Sequence, residues 1–316
     1  MGKSVATFIS LIHPWRGRLL LPHREDDRVT SQSPTVRRRR LAAELRRLRE
    51  QRGLSIDQVS AAGNWHATKL SRMETGRRGA STADVRTLLK LYKVPETEAE
   101  ALLTLAREAR ERGWWEAYRD VLPPRHSTYI GLEADAASVR NYESLLVPGL
   151  LQTARYARAV IGAGLRGASE DEVESRVAVR LARQSLLREG RLHLSAIVDE
   201  AAIRRLVGDR SVMEEQIDHI AEMSKLANVS FQVIPYSAGA HPGMTGSFSI
   251  LEFPPETDAD VVYIDSAAGD LFVERESEVS RYTLDFGNLQ EIAASPTDSV
   301  RFISDSQGVG SDARRA

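Results

Sequence analysis

Thr68, Lys69, Ser71 and Arg72 place four hydrogen-bond donors on one short stretch, and Leu70 and Met73 have the spacing of a helix that turns those donors outward. Hydroxyl, ammonium and guanidinium groups on one face suit the phosphate oxygens and base edges of a duplex. Ser55 to Glu74 is therefore a candidate DNA-reading unit.

Two short helices and a tight turn must hold that face in place. Ser55 followed three positions later by Gln58 is the pattern of a reciprocal capping box, so the first helix is expected to begin at Ile56. Ile56 and Val59 mark its inner side, and Ser60 and Ala62 are small enough for a second helix to approach. The turn falls at Gly63 and Asn64, residue types that tolerate a left-handed backbone. Trp65 is expected to plug the core just before the second helix, which starts near His66.

Around this unit the chain is strongly basic, although its formal net charge is -1. From Ser31 to Val94 there are 15 Lys and Arg against 5 Asp and Glu, about +10, and the residues after Val94 carry the compensating acid. Arg37, Arg38, Arg39 and Arg40 open an earlier helix whose buried stripe is Leu41, Leu45 and Leu48, and Arg77 and Arg78 follow Gly76. Each of these arginines suits a phosphate or a solvated helix start. Thr82 to Tyr92 reads as a further helix with Val85, Leu88, Leu89 and Tyr92 inward. A longer one is expected from about Thr97 to Asp120, ending in Trp114 and Trp115 before Pro123-Pro124 stops it. The tryptophan pair fits core or interface packing better than a ligand platform.

From Val36 to Val94 the residues resemble the Cro/C1-type (Xre-like) helix-turn-helix family, in the register set by Val59, Asn64, Lys69, Ser71, Glu74, Gly76 and the two arginines after it. The sequence departs from the family at Gly63, where a large apolar residue is usual, and at His66, where Ser or Thr caps the helix. Both departures are expected to loosen the turn. The resemblance implies an all-α, lambda-repressor-like head that binds a double-stranded DNA operator as a homodimer. It assigns base contacts to His66, Ala67, Thr68 and Arg72, and phosphate contacts to Arg37, Arg38, Arg39, Arg40, Ser55, Gln58, Lys69, Ser71, Arg77 and Arg78. Arg72 would reach guanine O6 and N7, Thr68 either kind of edge, and Ala67 a thymine methyl.

Beyond the proline pair, helices give way to mixed elements, expected to form an α+β domain over residues 125–305 with a mixed or antiparallel sheet. Strands are expected at Val139–Tyr142, Arg191–Val198, Val229–Pro235, Ser247–Phe253, Val261–Asp265 and Leu271–Glu274. Helices are expected at Gly149–Ile161, Ser169–Arg188, Glu200–Leu206, Ser211–Leu226, Glu276–Ala294 and Pro296–Ser304. Here Tyr142 to Thr153 with Tyr156-Ala157, Val198 to Ala202, Gln232 to Pro235 and Ala238 to Gly243 resemble the C-terminal domain of unknown function of many actinobacterial, antitoxin-like regulators. That resemblance implies a domain that senses a small-molecule effector or sequesters a small partner protein. The full division is then 1–30 a disordered extension, 31–95 the helix-turn-helix domain, 96–124 a connecting helix, 125–305 the sensor or partner domain, and 306–316 a disordered tail.

No reaction is expected of either part. Asp199-Glu200, His241, Asp258, Asp260, Asp265, Asp270 and Glu274 are the candidates for acid-base or metal chemistry, but they lack paired ligand spacing and any nucleophile motif. Asp199 is better placed to cap a helix, and the glycines of the loop from Gly239 to Gly246, lying between two strands, serve turns. No cofactor is implied. The 316 residues, 42% of them apolar, suffice for two cores; the chain has no cysteine and no apolar run of about 20 residues for a membrane span. A cytoplasmic, nucleoid-associated protein without a signal peptide is expected. Residues before Val29 match nothing in the family, and translation is expected to start there.

Overall fold

The computed structural model describes residues 34–76, 79–110, 114–118, 122–165, 167–254, 259–266 and 269–308. The expected extension before residue 31, the start at Val29, Arg77, Arg78 and Asp258 lie outside them.

The head contains five helices among the described residues: α1 Pro34–Gln51, α2 Ile56–Gly63, α3 Ala67–Glu74, α4 Thr82–Leu91 and α5 Glu96–Glu108. Leu41, Leu45 and Leu48 are buried as their spacing requires, against Val59, Leu70, Met73, Val85, Leu88 and Tyr92. Leu102 and Ala106 join the same core, so α5 completes the head. The single helix expected from Thr97 to Asp120 is thus two pieces. Trp114–Tyr118 forms a separate 3-10 turn, and Trp115 is buried in the core of the second domain. Burying two indoles there outweighs extending a helix whose apolar stripe ends at Ala106.

The body begins with α6, Pro124–Glu133, which the double proline hid: a proline that ends one helix is equally well placed in the first turn of the next. Its elements then run β1 Ser138–Glu143, α7 Ala154–Gly164, α8 Glu170–Arg183, α9 Ser185–Arg188, β2 His193–Asp199, α10 Glu200–Arg204, α11 Arg210–Met223 and β3 Val229–Ile234. They finish with β4 Phe248–Glu252, β5 Val261–Ile264, β6 Leu271–Val273, α12 Glu276–Ile292 and α13 Pro296–Gly308. α13 runs past residue 305, where the second domain was expected to end.

The sheet is mixed, in the order β3-β2-β1-β4-β5-β6. β1 pairs parallel with β2 and β2 with β3, whereas β1 with β4, β4 with β5 and β5 with β6 are antiparallel. Strand alternation gives it two packed faces. Val139, Leu194, Phe231 and Tyr263 belong to the larger core with α6, α11 and α13, while Tyr142, Ile197, Ile250 and Val262 pack on α12. α6 packs against α1 as well, so one wall of the body touches the first helix of the head.

The turn expected to be loose is filled. A Cβ on Gly63 would lie 2.7 Å from a ring carbon of Trp65, so glycine is what lets the indole fold back over the end of α2. Gly63→Ala is expected to destabilise the head by about 1 to 3 kcal/mol by overpacking, despite the better helix propensity of alanine. Denaturant unfolding checks this; a neutral or stabilising change would mean that Trp65 yields freely.

Candidate nucleic-acid interface

α3 is positioned by the capped helix and turn before it and by a clamp at its far end. The capping box forms as spaced: Gln58 N donates to Ser55 Oγ (3.2 Å) and Ser55 N to Gln58 Oε1 (2.8 Å). Asn64 takes the left-handed conformation at φ 53°, and Trp65 N donates to Ser60 O at 2.8 Å. His66 opens α3 with no side-chain capping bond, in keeping with its departure from Ser or Thr.

The far end is clamped by Glu74, the helical successor of Leu70 at i+4, which the spacing of the stripe also turns inward. Arg49 of α1 donates Nε to both Glu74 oxygens (2.8 and 3.0 Å) and Nη2 to one of them (2.9 Å), and Nη1 to Leu54 O at 2.8 Å. The two side chains are 11% and 3% exposed, a buried bidentate pair. Hydrogen bonds with Glu74 hold the Arg49 guanidinium above its ordinary value against the effect of burial. Sequence alone marks Glu74 only as a register position and gives no local signal for Arg49.

Lys69 is committed elsewhere than expected. Its Nζ lies 2.6 Å from Asp84 Oδ1 and 4.8 Å from the Trp65 ring centroid, so it ties α3 to the start of α4. Burial raises the Asp84 carboxyl, and the bonds from Lys69 and Ser81 more than reverse this, leaving it below its usual value. Ser71 is half-buried and its carbonyl accepts from Thr75 Oγ1 at 2.8 Å.

What remains outward on this helix and its lead-in is His66, Thr68 and Arg72, all exposed, with Ala67 half-buried beside them. Thr68 and Arg72 are one turn apart and share a face. Of the four donors expected to face outward, Thr68 and Arg72 do, while Lys69 and Ser71 are half-buried.

The arginine run divides. Arg37 is one turn before Leu41 and follows it inward: it is buried, with Nε 3.5 Å from Glu108. Arg39 pairs with Glu274 of the body at 3.5 Å. The guanidinium groups of Arg37 and Arg39 thus join α1 to α5 and to the body. Arg38 is half-buried, and Arg40 is exposed.

In the body, Asp199 caps α10, its Oδ1 accepting from Ala201 N at 2.8 Å, and Oδ2 lies 3.4 Å from His241 Nε2. Glu200 accepts from Tyr236 N at 2.8 Å, and Asp260 from Phe253 N at 3.2 Å. Among the described residues no three His, Asp or Glu side chains are placed to hold a metal ion. None of their helices is long and apolar enough to cross a membrane.

A capped helix, a left-handed turn and a clamped second helix with an outward donor face define a helix-turn-helix module, the class of fold that binds DNA. Residues 40–102 match the family model described as a helix-turn-helix domain. Residues 126–305, more than half of the chain, match the domain of unknown function DUF5753, and the chain belongs to that family. No curated protein and no solved structure matches.

Proposed function

We propose that the protein is a sequence-specific transcription regulator of the Cro/C1-like kind, acting as a homodimer whose two heads occupy the half-sites of a near-palindromic operator. The observation that supports this best is the outward triad of His66, Thr68 and Arg72 on a helix whose inner residues are all committed to clamping it. In this reading the three side chains meet base edges, with Ala67 against a thymine methyl. Arg38, Arg40, Ser55, Gln58, Ser71, Arg77 and Arg78 face phosphates. The body acts on the head through α6, which packs on α1. No chemical reaction is assigned to either domain.

Footprinting on the DNA upstream of the protein's own gene tests the reading. Two protected half-sites about one helical turn apart support it, and absence of protection there and on selected random DNA sinks it. Arg72→Ala is expected to weaken the specific site by roughly 1 to 3 kcal/mol while non-specific binding barely changes. Equal loss on random DNA would assign Arg72 to phosphate instead.

A second reading, in which the body sequesters a small basic partner protein, is favoured by one surface. Met244 and Leu284 are each 70% exposed, on the 3-10 turn Pro242–Thr245 and on α12, which pack together. A small protein that co-purifies in equal amount and is released by Leu284→Glu would favour it.

A further inference from the structure

The body holds a partly open cavity of about 330 Å³ between the sheet and the helices that cover its larger core. That size lies within the range of small-molecule sites. It sits at the carboxyl end of β1, where the parallel half of the sheet meets the antiparallel half, the kind of place where open sheets receive ligands.

Its lining carries charges that attract one another across it without meeting in contact pairs. Arg183 is satisfied, because Glu133 takes it in two 2.6 Å bonds. Arg180, one turn earlier on α8, instead donates Nη1 to Gln152 Oε1 at 2.7 Å, and no carboxylate among the described residues lies within ion-pair distance of it. Among the described residues, four of its five donors have no protein partner. Burial, with Arg183 beside it, pulls this guanidinium down to about 10, against the attraction of Glu143 and Asp265, which lie near it without contact.

Across the cavity, Glu143 ends β1 and Asp265 follows β5. Asn141 Nδ2 reaches Glu143 Oε1 at 3.3 Å, and no cation among the described residues contacts either carboxylate. Burial pushes Glu143 up to about 7, and burial and then Asp270 also raise Asp265. Leu146, Leu150 and Val160 supply apolar lining beside the charged groups.

A purely anionic guest would meet Glu143 and Asp265, and a purely cationic one would meet Arg180 and Arg183. A guest with both charges answers each end and replaces the water that those groups lost. We propose that this cavity binds a small amphipathic zwitterion, in chemical class an apolar amino acid or short peptide, with its carboxylate on Arg180 and its ammonium between Glu143 and Asp265. The proposal rests on reading the body as a ligand-binding domain.

Calorimetric titration of the full chain tests it, with L-leucine, L-phenylalanine and L-leucyl-L-leucine as probes. 3-Methylbutylamine and 4-methylpentanoate, which are leucine without one charge, serve as comparisons. At least one zwitterion is expected to bind tenfold or more tightly than both one-charge compounds. Glu143→Gln and Arg180→Gln are each expected to weaken it at least tenfold. In wild-type protein, photo-leucine is expected to cross-link to residues 143–150 or to α8, which locates the site even if a variant folds poorly. No binding by any zwitterion, equal binding by the amine or the acid alone, or cross-links elsewhere would overturn the proposal. Loss of the operator footprint would sink the regulator reading and leave this titration standing.

Discussion

Replacing Glu74 with alanine is expected to remove about 3 to 5 kcal/mol from the stability of the head, because it strands the Arg49 guanidinium in a site where it is 11% exposed. The partner left behind has lost its water as well as its carboxylate, so the cost exceeds the net worth of the pair itself. Hydrogen exchange of residues 56–74 is expected to quicken by about two to four orders of magnitude, since each 1.4 kcal/mol is tenfold. Specific DNA binding should fall with it, because α3 loses the anchor of its last turn. Joint replacement, Arg49→Met with Glu74→Leu, is expected to recover most of the stability. A loss below about 1 kcal/mol for the single variant would mean that water reaches the pair and screens it.

Glu133→Ala in the body is expected to cost a similar amount, about 3 to 5 kcal/mol, for the same reason in a different place. Arg183 and Glu133 are 6% and 0% exposed, and Tyr129 donates to the same carboxylate at 2.8 Å. Burial alone would lower the Arg183 guanidinium, and the contact with Glu133 more than reverses it. Without Glu133, Arg180 and Arg183 would face each other one turn apart with no anion in contact. Urea unfolding measures the effect, with Arg158→Ala as the control. The exposed Arg158 and Glu174 pair should contribute less than about 1 kcal/mol. Equal changes in the two variants would remove the special standing of the buried pair.

Both pairs lie at positions where chain-local reasoning is weakest. The capping box at Ser55 and Gln58, the left-handed Asn64 and the stripe of Leu41, Leu45 and Leu48 were readable because each depends on neighbours three or four residues away. The six strands were readable for the same reason, since short apolar runs bounded by turn residues are a local property. α6 was not, because Pro124 at its start looked like the end of the helix before it. With α6 went His126 and Tyr129, which line the cavity, and Glu133, which holds Arg183.

The arginine run shows the same limit from the other side. Sequence determined that the head is basic and that a donor face would project from α3, since charge and periodicity are properties of the chain alone. Tertiary structure alone decided which of these cations meet a carboxylate of the chain itself. Glu108, Glu274, Glu74 and Asp84 lie 71, 235, 25 and 15 residues from Arg37, Arg39, Arg49 and Lys69. Only folding brings those carboxylates within a few ångströms, where Coulomb attraction pairs them with the cations.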